Sequence, residues 1–212
     1  GVSFGQATAA ATGLPAAAAD VVYVSDGFYC HEDLPATADE LVRIAASGSL
    51  LSGLLHPVTG LDHVVAMVAV GLWGAVLAAP AIWLLPVAFP MVMALGGLIG
   101  LLGLPLPGVE VGIAISGMVL GLLVALERRV PLGVALALVG VFALFHGYAH
   151  GRELPDGANA LLFSLAFVAA TGLLHLVGIL LGELRRWPVG RRLVQLIGAA
   201  ITSSGVWFLL QI

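Results

Sequence analysis

Two short stretches of the chain gather side chains that bind metals. The first is His56-Pro57-Val58-Thr59-Gly60-Leu61-Asp62-His63, and the second is Phe145-His146-Gly147-Tyr148-Ala149-His150-Gly151-Arg152-Glu153. Imidazole nitrogen and carboxylate oxygen together suit a first-row divalent metal. In the first stretch His56, Asp62 and His63 are the candidate ligands. Asp62 is also placed to cap the following helix, and Met67, one turn after His63, reads as core packing before it reads as a thioether ligand. In the second, His146 and His150 are four residues apart and share one helical face, which Glu153 continues if the helix survives Gly151. Glu110, just after Pro107-Gly108, reads either as a first-turn acid favoured by the helix dipole or as an acidic residue at an outer mouth. His175 stands among leucines as a ligand, a proton acceptor or a packing residue. Cys30-His31-Glu32-Asp33 reads better as a solvated acidic loop than as a capture site.

The surroundings of these residues are apolar. The 212 residues are 60% hydrophobic and only 9% charged, against about 25% charged in soluble domains, and the mean hydropathy is +1.11. Too few charges remain to cover a water-facing surface, so the apolar surface must face lipid. Six stretches approach the roughly 20 apolar residues of a membrane span: Leu61–Ala79, Ile82–Gly103, Val109–Leu126, Pro131–His150, Ala158–Leu181 and Leu193–Leu210. A shorter apolar segment, Leu41–Leu55, ends at His56-Pro57. It reads as an interfacial helix or as the outer half of a broken first span. The expected fold is therefore an all-α, polytopic transmembrane helix bundle of about six spans, with a broken or re-entrant segment around His56–Gly60. Residues 1–40 are expected to form an extracytoplasmic arm and residues 41–212 the bundle. The alanine-rich Ala7–Ala19 is either the tail of a signal sequence or a flexible arm.

Ionisable groups at membrane depth cost about 2.5–3.5 kcal/mol each on insertion scales. One such histidine is readily absorbed by packing. Five histidines and several acids in or beside the spans point to a site. Proline and glycine in the first stretch break the helix, and irregular backbone at membrane depth survives where it lines a cavity or binding site. The 28 glycines include Gly117 and Gly121 as a GxxxG pair, and ordinary close helix packing accounts for them.

Other functions are disfavoured. The single cysteine, Cys30, excludes an internal disulfide or a Cys-rich metal site. No Walker-type loop is present, so ATP hydrolysis is not expected. The chain is not expected to be an enzyme, to carry an organic cofactor or to bind nucleic acid. All eight basic residues are arginines, and Arg128, Arg129, Arg185, Arg186, Arg191 and Arg192 fall between spans three and four or five and six. By the positive-inside rule those loops are cytoplasmic, and both termini are then extracytoplasmic.

At the two motifs the chain resembles the HupE/UreJ family of nickel permeases. The matching positions are His56-Pro57-x-x-Gly60-x-Asp62-His63, Ala66-Met67-x-Ala69-Val70-Gly71-Leu72-Trp73 and Phe145-His146-Gly147-x-Ala149-His150-Gly151-x-Glu153, with Pro107-Gly108-Val109-Glu110 beside them. The resemblance runs from about Gly53 to the carboxyl end. It implies a six-span bacterial inner-membrane protein that moves Ni2+, or Co2+, for metalloenzyme maturation, with the matched histidines and acids needed for transport. The arm before Gly53 is longer than the family's usual amino terminus. That motivates a second reading, a permease-like accessory subunit held in a larger membrane complex through this arm. A third reading is a haem b electron carrier using paired histidines.

Overall fold

The computed structural model describes residues 48–153 and 159–212. The expected arm, including His31, lies outside these residues, as does the start of the Leu41–Leu55 segment. Every regular element among the described residues is helical: α1 (Gly48–Thr59), α2 (Leu61–Leu77), α3 (Ala81–Leu101), α4 (Val109–Ala125), α5 (Leu132–Arg152), α6 (Ala160–Glu183), a 3-10 turn (Leu184–Arg186) and α7 (Pro188–Leu209).

Four of these, α3, α5, α6 and α7, are each long and apolar enough to cross a bilayer. The pair α1–α2 passes the same test as one broken span bent by 80°. The 17-residue α4 is apolar but shorter, at the lower end of the length a span requires. This arrangement agrees with the expected all-helical bundle of about six spans.

Two boundaries differ from the sequence reading. The helix does not stop at His56-Pro57: α1 continues through Pro57 to Thr59, and the break falls at Gly60, whose backbone is extended (φ −94°, ψ 111°). A proline inside a membrane helix is tolerated when its surroundings satisfy the freed backbone groups. The last helix starts at Pro188, not Leu193. Proline at the first helical position is a start signal, and Arg191 and Arg192 sit in the opening turns, from which their long stems reach the polar boundary.

The bundle packs chiefly as α2 on α6, α3 on α5 and α4 on α7. Glycines make each approach close. A Cβ on Gly71 would strike the α6 backbone at His175, one on Gly147 the α3 backbone at Met93, and one on Gly121 the α7 backbone at Thr202. α2 is the innermost helix, buried on nearly every face from Ala66 to Val76. On α3 the opposite situation holds. Trp83, Val87, Met91 and Leu95, spaced four apart, are all more than half exposed, the outward stripe expected of a lipid-facing helix.

The arginine-rich loops gather at one end. Trp73 Nε1 donates to the Arg128 carbonyl (3.0 Å), the Arg185 guanidinium donates to the Ala75 carbonyl (2.8 Å), and Arg191 donates to both Glu127 carboxylate oxygens (2.9 Å each). Ala75 lies twelve residues along α2 from His63, about 18 Å at 1.5 Å per residue. The histidine cluster and the arginine-rich loops therefore occupy opposite ends of the bundle, with Arg152 standing apart at the histidine end.

Candidate metal centre

Three pieces of chain bring the site together. The end of α1 supplies His56, the first turn of α2 supplies Asp62 and His63, and the last turns of α5 supply His146 and His150, with Glu153 directly after. α5 does survive Gly151, running to Arg152, so the face begun by His146 reaches Glu153. The bend at Gly60 folds His56 back over this face.

The outer part of the cluster is open to water. His56 Nε2 lies 3.0 Å from Glu153 Oε2, 97 residues away in sequence, and His150 Nδ1 lies 3.7 Å from the same oxygen. One ligand atom from each of His56, His150 and Glu153 falls within 4.8 Å of the others, which suits a shared cation. The Glu153 side chain is 52% exposed. The rings of His150 and His56 beside it hold its carboxyl well below the usual carboxylate range, so it stays ionised.

The inner part is dry. The His63 ring is 4.3 Å from that of His150 and 5.0 Å from that of His146, centroid to centroid. His63, His146 and His150 are all buried. The His146 Nδ1 donates to the Phe142 carbonyl at 3.0 Å. A carbonyl only accepts, so in the neutral ring the proton sits on Nδ1 and Nε2 carries a free lone pair. Asp62 Oδ1, 3.0 Å from His63 Nδ1, sets the same tautomer there. Neither Nε2 has a hydrogen-bond partner among the described residues. A metal-binding histidine has this form, with one nitrogen anchored by a carboxylate or carbonyl and the other free. Asp62 thus does not cap α2, whose cap position is Gly60 with no side-chain hydrogen bond. Gly60 leaves room for the Asp62–His63 pair, because a Cβ there would stand 2.9 Å from Oδ1 and 3.0 Å from Nδ1.

Aromatic rings that no sequence motif singled out wall the cluster. Phe167 packs against His150 at 4.3 Å, Phe163 against His56 at 5.6 Å and Phe89 against His146 at 5.7 Å. Phe163 and Phe167 are four apart on a largely apolar stretch of α6, so no local signal distinguishes them from lipid-facing positions. A cavity of about 290 Å³ between α3, α5 and α6 reaches His150 past Pro90, Met93 and Phe167.

Two sequence candidates stand outside the cluster. Glu110 is exposed in the first turn of α4 and pairs with none of these histidines. His175 is buried on α6 and is separated from His146 by the ring of Phe89. Met67 is fully buried in the hydrophobic core, as the packing reading expects.

Several apolar spans beside a cluster of largely buried imidazoles and two more exposed carboxylates define a multi-pass helical membrane protein that gathers metal-ligand residue types at one end of its bundle. The chain belongs to the HupE/UreJ family: it matches the family described as HupE / UreJ protein over residues 31–208. It is 46% identical over 172 residues to Protein HupE of Rhizobium leguminosarum bv. viciae, covering 81% of this chain and 90% of that relative. No solved structure matches the chain significantly. The family match opens at residue 31, earlier than the Gly53 suggested by the motifs. The divergent part of the arm therefore shortens to residues 1–30.

Proposed function

We propose that this protein carries a divalent transition-metal ion, Ni2+ or Co2+, across the bacterial inner membrane, and that the cluster at His56, Asp62, His63, His146, His150 and Glu153 receives the ion. The observation that carries this reading is the pair of buried Nε2 lone pairs on His63 and His146, each fixed from behind and without a hydrogen-bond partner among the described residues. Leaving such groups unpaired costs about 1–3 kcal/mol each, a cost that ligation of an ion removes. The outer His56–Glu153–His150 group replaces part of the ion's hydration shell before the dry inner pair is reached. Glu110 stands as an acid at the mouth. The arginine end faces the cytoplasm by the positive-inside rule, so the cluster and both termini face outward. The delivered ion would supply metalloenzyme maturation.

The touching histidine rings leave no gap for a porphyrin plane, which argues against the haem reading. The accessory-subunit reading gains no support from the bundle, and co-purification at fixed stoichiometry is its test. Uptake of radioactive nickel by cells expressing the chain, with cobalt and zinc as competitors, tests the carrier reading. We expect accumulation that excess cobalt suppresses and that His63→Ala abolishes without loss of membrane insertion. Near-normal nickel accumulation in the His63→Ala variant would reject this cluster as the site.

A further inference from the structure

We propose that His175, Thr171 and the Pro86 carbonyl form a second, inner station for the cation, one aromatic ring beyond the histidine cluster. The proposal rests on the carrier reading above and extends it inward. His175 and Thr171 are four residues apart on α6 and so share a face; they are 1% and 0% exposed. Among the described residues, neither ring nitrogen of His175 and not the Thr171 hydroxyl has a hydrogen-bond partner. Hydroxyls in other spans behave differently: Ser116 turns back to the Ile113 carbonyl (2.6 Å) and Thr202 to that of Gly198 (2.9 Å). A histidine buried only for packing satisfies at least one nitrogen, since each orphan costs about 1–3 kcal/mol.

The neighbouring helix supplies the third donor. α3 contains both Pro86 and Pro90. Proline has no N–H, so residue 90 cannot donate to the Pro86 carbonyl and leaves it without its helical partner. That carbonyl lies near the His175 ring without completing a hydrogen bond to it. On the other side, glycine at 71 brings the α2 backbone against α6 at His175, which closes the station to lipid.

Phe89 separates the station from the cluster. Its ring lies edge-on to both His146 (5.7 Å) and His175 (5.5 Å), so one rotation of this side chain would open the way between them. The donors also differ in kind. The outer cluster contains two carboxylates, whereas the inner station offers only a neutral nitrogen and neutral oxygens. A cation held by neutral donors alone leaves readily, as passage requires.

Purified full-length protein, in detergent and in liposomes containing a Ni2+-quenched fluorophore, provides the test. In detergent, His175→Gln and Thr171→Val should keep Ni2+ affinity within about twofold, because the outer cluster is intact. In liposomes both should slow Ni2+ entry by at least about tenfold, equivalent to about 1.4 kcal/mol of barrier. His175→Cys in a Cys30→Ser background places a soft thiolate at the station and should raise Cd2+ entry relative to Ni2+, a change that a packing role would not produce. Ni2+ entry within about twofold of wild type in His175→Gln, or an unchanged Cd2+ to Ni2+ ratio in the cysteine variant, would overturn the inner station alone. Failure of the wild-type protein to bind or pass Ni2+ would overturn the carrier reading and the station with it.

Discussion

Replacing Asp62 by alanine asks whether this carboxylate holds the ion or holds the imidazole that holds the ion. The 3.0 Å contact from Oδ1 to His63 Nδ1 uses one oxygen to fix the ring's tautomer and direction. Carboxylates that orient a metal-binding histidine contribute about 10–100-fold in affinity, or about 1.4–2.8 kcal/mol at 1.4 kcal/mol per decade. Asp62→Ala should therefore weaken Ni2+ binding within that interval. His63→Ala deletes the donor nitrogen itself and should weaken it more than about 100-fold. Asp62→Asn keeps an acceptor oxygen but loses the charge, and should fall between wild type and Asp62→Ala. Equilibrium dialysis of purified protein against Ni2+ reads all three variants on one scale. A loss in Asp62→Ala equal to that in His63→Ala would refute the orienting role and make Asp62 a direct ligand. No loss at all would remove the pair from the site.

The pH dependence of binding separates the histidines from the acids. A protonated imidazole has no lone pair to give, so Ni2+ affinity should fall as pH drops far enough to protonate the cluster's rings, and binding there should release protons. Glu153 is held below the usual carboxylate range; its charge is lost only at still lower pH, and it adds no slope near neutrality. Glu153→Gln should accordingly lower affinity and keep the shape of the profile, whereas His146→Ala combined with His150→Ala should flatten it. Binding that does not weaken at any pH down to the point of acid unfolding would rule out histidine ligation. For orientation, a cysteine at position 128 in a Cys30→Ser background should resist a membrane-impermeant thiol reagent in intact cells. Its labelling from outside would reverse the assignment of the arginine end to the cytoplasm.

The sequence alone determined the solvent of this protein and most of its helices. Apolar runs at bilayer length are a local property, and five of the six expected spans begin within two residues of their helices. The shared face of His146, His150 and Glu153 was legible for the same reason, because helical pitch is local. The exceptions were Pro57, which the helix absorbs, and Pro188, which opens α7 ahead of two arginines. Which face of each helix turns inward was not legible. In a lipid-embedded bundle both the interior and the exterior are apolar, so periodicity carries no sign of direction. Only the tertiary structure could pair His56 with Glu153 across 97 residues, bring His63 against His150 and set Phe89 between His146 and His175. Those meetings depend on how closely the helices approach. The approach is decided by glycines such as Gly71 and Gly147, which act through the missing side chain and so reveal their partners only once the backbones are together.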